Sequence, residues 1–170
     1  MSIDWNLITA MATALVAFSA VLALIVQSRL ARRTTGIEML WKLEARFFSN
    51  PIMLENRRRA AQARLSGETP PELVQVLHVL EMVGSLLRRG ILDKELVWCH
   101  FCYWVIHYWF AYMDQIAEER RNDRTIWLNL EYLSNKMIEM DAKKRCLPKK
   151  GVFPSVEETQ TFLEEESVRA

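Results

Sequence analysis

At 170 residues, half of them hydrophobic and a quarter charged, the chain has room for one helical domain with a real core plus an appendage. Its 22 basic and 21 acidic side chains leave a net charge of +1, which excludes the broad positive field that draws a protein to nucleic acid. Three cysteines, an odd number, exclude a self-contained disulfide framework and fit a reducing compartment.

Residues 5–28 carry no charge, and a hydrocarbon core of about 30 Å needs roughly 20 helical residues. A transmembrane helix over 6–28 is therefore expected. A cleaved signal peptide would begin with a basic segment, whereas Asp4 stands there. Arg29, Arg32 and Arg33 follow the span, and basic flanks stay on the cytoplasmic side. This places the N-terminus outside, the rest of the chain in the cytoplasm and Trp5 at the outer interface. Ala10, Ala14 and Ala17 near one stripe leave room for a homo-oligomer packed through the bilayer.

Thr34 or Thr35 is the expected cap of a second helix that runs to Asn50, where Pro51 stops or kinks it. The next helix, 52–65, carries Arg57, Arg58 and Arg59. Two readings stand for that run, a solvated face or, with Arg29, Arg32 and Arg33, a surface for anionic lipid headgroups. Residues 66–71, SGETPP, break the chain, with Thr69 as the expected cap of a helix over 72–89. That helix is apolar around most of its circumference, with one thin polar stripe at Gln75, His78, Glu81, Ser85 and Arg88.

Gly90 suits a helix C-terminal cap and Asp93 suits the N-cap of the following helix, 94–121. So short a joint favours antiparallel packing of its two helices, with Glu81, Gly84, Gly90 and Asp93 holding them together. Between Leu96 and Met113 no formal charge occurs, so a second span, an interfacial helix and a buried soluble helix compete; the histidines, tyrosines and tryptophans favour the last.

On this aromatic helix the Cys/His set Cys99, His100, Cys102 and His107 separates by helical angle, thiols to one side and imidazoles to another. No metal or cofactor is expected. His100, His107, Asp114 and Glu118 share a side with Tyr103 and Trp104, opposite Trp98, Cys102, Ile106, Trp109 and Met113. That side is either the wetter face of an amphipathic helix or a pH-sensitive, ligand-facing stripe. His78 with Glu81 supplies a further imidazole–carboxylate pair. No nucleophile elbow, phosphate loop or repeated Glu-x-x-His appears.

A helix over 125–144, an irregular linker at 146–154 and a short acidic helix begun by the capping box Ser155–Glu158 complete the chain. The organisation read from this is a transmembrane helix at 6–28, a bundle of four or five helices at 34–145, and a linker with a short acidic C-terminal helix at 146–170.

Phe47-Phe48 before Asn50-Pro51, Arg57, Leu80-Glu81 with Gly84, Gly90, Leu92-Asp93 and Trp109 resemble a bacterial domain-of-unknown-function family, the one numbered 4760. The resemblance implies an all-α architecture, one N-terminal membrane helix with a helical cytoplasmic region, and no established activity. The function expected is therefore a non-enzymatic interaction or regulatory module on the inner (plasma) membrane, bound to the bilayer and to a protein partner. Two alternatives stand beside it: an enzyme or small-ligand and pH sensor with a pocket near His78, Glu81 and His100, and a headgroup binder using the arginines.

Overall fold

The computed structural model describes residues 5–68 and 70–169, the side chains of residues 5–10, 12, 14 and 32 apart. Among the described residues lie six α-helices and one 3-10 turn, and no strand. The helices are α1 (Trp5–Phe48), α2 (Pro51–Leu65), α3 (Glu72–Arg88), α4 (Lys94–Asn122), α5 (Leu128–Lys144) and α6 (Val156–Val168), with the 3-10 turn at Lys149–Val152. The expected cap Thr69, Asp4, and the side chains of Trp5, Ala10, Ala14 and Arg32 lie outside the described residues.

α1 corrects the first expectation. The apolar segment and the helix after it are one unbroken element of 44 residues, about 66 Å long at 1.5 Å per residue. No cap forms at Thr34, whose hydroxyl instead donates back to the Leu30 carbonyl at 3.2 Å. Nothing between Ser28 and Phe47 obliges a helix to stop: the stretch lacks proline, and its arginines, leucines and alanines are good helix formers.

The two ends of α1 live in different surroundings. Leu15, Val16, Phe18, Val21, Leu24, Ile25 and Val26 are all exposed, whereas Leu40, Leu43 and Phe47 are buried in the core. Among the described residues this is the one helix long and apolar enough to cross a membrane. Gly36 marks the transition. A Cβ there would run into the Ile91 carbonyl oxygen, so only glycine lets the α3–α4 turn lie on the α1 backbone.

Local chemistry sets most helix ends. Asn50 Oδ1 accepts from the amides of Ile52 and Met53 at 3.0 and 3.1 Å, with Pro51 at the first helical position. Gly90, at φ 68°, closes α3: its amide donates to the Leu87 carbonyl and that of Ile91 to the Leu86 carbonyl, both at 3.0 Å. Asp93 caps α4 by accepting from Glu95 and Leu96. The Ser155–Glu158 capping box is made in full.

The packing partners differ from expectation in two places. α3 and α4 touch only lightly, and both lie chiefly against α5. Gly84 is where α3 meets α5, since a Cβ there would run into the Asn129 carbonyl. The second difference is α6, set apart from the bundle in the sequence reading: it packs along α2 and buries Phe162, Leu163 and Glu166.

α4 is the buried aromatic helix, flanked by α5 and α6. Its most buried line runs through Val97, Phe101, Val105, Tyr108, Tyr112 and Ile116, between the two faces expected from periodicity. Met113, assigned to the greasy face, is half exposed.

Candidate functional site

Three arrangements of polar residues follow from this packing. The first is at the centre of the bundle. Arg57 and Glu166 are 2% and 1% exposed and form a two-pronged ion pair, Nε to Oε2 at 2.8 Å and Nη2 to Oε1 at 2.9 Å. The third donor, Nη1, satisfies the Phe47 carbonyl at 2.9 Å, one of the carbonyls left over where α1 ends. The Tyr108 hydroxyl donates to Glu166 Oε2 at 2.8 Å, and Arg169 reaches Oε1 at 3.2 Å. The guanidinium of Arg57 also lies 4.5 Å from the Phe47 ring centre and 4.4 Å from that of Trp104.

Burial, and then the Glu166 carboxylate, push the Tyr108 phenol well above its ordinary value, so it stays protonated and donates. Four helices, α1, α2, α4 and α6, are thereby joined through the Arg57–Glu166 pair. Both Glu166 oxygens are fully engaged, which makes this a structural knot with no position left for a ligand.

Arg57 is therefore neither on a solvated face nor available to lipid, contrary to the sequence reading. Arg58 and Arg59 are at the surface but paired: both grip Glu55, at 2.7 and 2.6 Å, and Arg59 also reaches Glu72 at 3.4 Å. Hydrogen bonds from these two arginines hold the Glu55 carboxyl at about 2.

The second arrangement is the histidine stripe, which the structure divides. His100 Nδ1 lies 3.0 Å from Glu44 Oε1, each side chain about one-third exposed at 35%, and ties α4 to α1. His107 Nδ1 faces the Tyr103 carbonyl at 2.7 Å and so carries the hydrogen, while its ring lies between Tyr103 and Phe162, at 4.1 and 5.0 Å. Trp104 meets the edge of Tyr103 at 5.3 Å and Phe162 at 5.8 Å, so α6 covers this part of the stripe. Burial holds His107 below its ordinary 6.5. Its protonation thus opposes folding, and stability on this account falls as pH drops below about 6.5, where the unfolded chain takes up a proton first.

His78 stands exposed on α3, and its expected partner Glu81 faces another way. Glu81 accepts from the Asn129 amide at 3.1 Å, the Asn129 side chain at 2.7 Å and the Leu130 amide at 2.6 Å. The reason is at the start of α5. Trp127 sits there at φ 58°, with no side-chain cap, and Arg120 holds the turn through the carbonyls of Ile126 and Trp127 at 2.8 and 2.9 Å. A carboxylate from α3 supplies the missing cap. With His78 exposed, Glu81 capping α5 and His100 against Glu44, the three do not form one pocket. Among the described residues no group of three or more His, Cys, Asp or Glu side chains could hold a metal ion.

The third arrangement lies beside the Gly36–Ile91 contact, where two grooves run along α1. One, of about 460 Å³, has Arg33 and Asp93 in its walls. The other, of about 550 Å³, has Ser28 and Thr35 of α1 facing Arg89 and Gly90 of the α3–α4 turn. Gly36, Arg89 and Glu166 escaped the sequence reading. Only Gly36 carried a usable signal, an isolated glycine inside a strong helical pattern.

Residues 7–137 match a family described as a domain of unknown function, DUF4760, and so take in the upper part of α1 as well as the bundle through most of α5. No curated protein and no solved structure matches the chain.

Proposed function

We propose that this chain, which belongs to the DUF4760 family, is a non-enzymatic interaction module mounted on the cytoplasmic face of the inner (plasma) membrane by a single transmembrane helix. The observation that carries this reading is the continuity of α1. Its uncharged half exposes a full circumference of large apolar side chains, and its other half is part of the bundle core. A water-soluble protein does not leave so much contiguous apolar surface uncovered. Arg29, Arg32 and Arg33 at the end of the uncharged stretch favour the cytoplasmic orientation.

Because one helix does both jobs, the bundle is held rigidly at the membrane rather than on a flexible tether. The surface best suited to a partner continues along α1 below the bilayer. Trp41 is 67% exposed there, with Ile37, one turn earlier on the same face, also exposed, and aromatic residues of this kind anchor protein interfaces. A second copy of the chain and a different protein are both partners this surface fits.

A photoreactive amino acid placed at position 41 in intact cells tests the reading. The expected result is one or two discrete crosslinked products, at dimer mass if the partner is a second copy. A diffuse set of abundant membrane proteins, equal to that obtained from position 124 on the α4–α5 turn, would count against it.

A further inference from the structure

The α3–α4 turn meets α1 just beyond the end of its uncharged stretch, and the contact at Gly36 brings Arg89 beside that helix. The groove of about 550 Å³ between them starts at Ser28, the last uncharged residue of the stretch, and reaches Met39. From Ser28 to Met39 the helix rises eleven steps, about 16 Å of axis at 1.5 Å per residue. For a helix that crosses the bilayer, the groove therefore begins at the hydrocarbon boundary and runs through the headgroup layer.

Its lining is chemically mixed in a specific way. Arg89 supplies a guanidinium, Ser28 and Thr35 supply hydroxyls, and Ala31, Met39 and Ile91 supply an apolar wall; among the described residues it includes no carboxylate. The apolar side of α1 continues upward from it through Leu24 and Ile25, both exposed.

Charge pairing sets this place apart from the other arginine clusters. Arg57, Arg58, Arg59, Arg64 and Arg120 all have a carboxylate partner. Among the described residues Arg29, Arg33 and Arg89 have none. Arg88, the neighbour of Arg89, is turned over the Tyr132 ring at 5.8 Å. The carboxylate in the adjoining groove, Asp93, already accepts from two α4 amides at 2.8 and 3.2 Å.

We infer that this groove binds one anionic phospholipid of the cytoplasmic leaflet, with Arg89 on the phosphate, Arg29 beside Ser28 at its upper end, and the acyl chains running up the exposed apolar side of the helix. The apolar wall is what selects a lipid over a free phosphate ester. The site moves the headgroup role from Arg57, Arg58 and Arg59 to residues that the fold leaves unpaired, and it rests on the membrane-anchored reading above.

The test uses the full chain purified in detergent, offered equal amounts of phosphatidylglycerol and phosphatidylcholine and examined by native mass spectrometry. The wild type is expected to retain one phosphatidylglycerol in preference to phosphatidylcholine. Arg89→Gln should lower that preference about fivefold, the factor expected for one cation at a membrane surface. Arg124→Gln, an exposed arginine on the α4–α5 turn, should leave it unchanged, and circular dichroism should show the same helix content in all three proteins. Equal retention of the two lipids by the wild type, or an unaltered preference in Arg89→Gln, would overturn the site. Displacement of the lipid by glycerol phosphate at the same concentration would also overturn it, in favour of a soluble ligand. Release of the chain from membranes by alkaline carbonate would instead overturn the anchored reading itself.

Discussion

Removing either partner of the Arg57–Glu166 pair is expected to cost about 3–5 kcal/mol of stability, the usual effect of breaking a buried ion pair. The two side chains are 2% and 1% exposed, so solvent cannot compensate the survivor. Arg57→Met leaves the Glu166 carboxylate with only the Tyr108 hydroxyl and Arg169, and it also frees the Phe47 carbonyl at the end of α1. Glu166→Gln keeps the shape but removes the charge that the guanidinium needs. Replacing both at once, Arg57→Met with Glu166→Leu, should cost far less than the sum of the single changes, because no uncompensated charge remains. Denaturant unfolding followed by tryptophan fluorescence measures all of these. A single variant within about 0.5 kcal/mol of the wild type, the range of an ordinary surface change, would contradict the knot.

Gly84→Val is the other substitution with a large expected effect. In an exposed helix, replacing glycine gains roughly 0.5–1 kcal/mol from backbone entropy. At Gly84 the sign should reverse. The added Cβ would run into the Asn129 carbonyl oxygen and lie 2.7 Å from its carbon and 3.1 Å from Leu133 Cβ. Backbone on one side and a buried leucine on the other leave nothing flexible to give way, and overpacking of this kind costs about 1–3 kcal/mol. The cap suffers too. Glu81 is one turn away on α3, and separating α3 from α5 draws its carboxylate off the Asn129 and Leu130 amides, a loss of about 1 kcal/mol. A combined destabilisation of roughly 2–4 kcal/mol follows from these two costs. A Gly84→Val protein as stable as the wild type would show that the two helices do not meet here.

The features that were legible in the chain are those that local chemistry decides. Asn50-Pro51, Asp93, Gly90 and the Ser155–Glu158 box each act within four residues of themselves, so their roles could be read from neighbours alone. Thr34 and Thr35 show the limit of that logic, since a threonine caps a helix only where the chain has a reason to begin one. The buried line of α4 was displaced from its expected position because enclosure by α5 on one side and α6 on the other removes the simple contrast of wet and dry faces.

The residues that hold the fold together were misread where their partners lie far along the chain. Arg57 looked like one of a run of three surface charges, yet its partner is 109 residues away. Glu81 looked like the companion of His78 three residues earlier, but the amides it caps are 48 and 49 residues on. The same holds for the groove proposed to take a headgroup. Arg29 could be recognised from its place after an uncharged stretch, whereas Arg89 comes to α1 only through the contact between Gly36 and Ile91.

Cysteine accessibility tests most directly whether α1 crosses a membrane and leaves the bundle inside. Cys99 and Cys146 are both exposed on the bundle, so the native chain already carries the probes. Spheroplasts treated with a charged, membrane-impermeant maleimide should show no labelling of the chain until they are lysed, when both thiols should react, and the chain should remain with the membranes through an alkaline carbonate wash. Labelling in intact spheroplasts, or release of the chain by carbonate, would contradict the account.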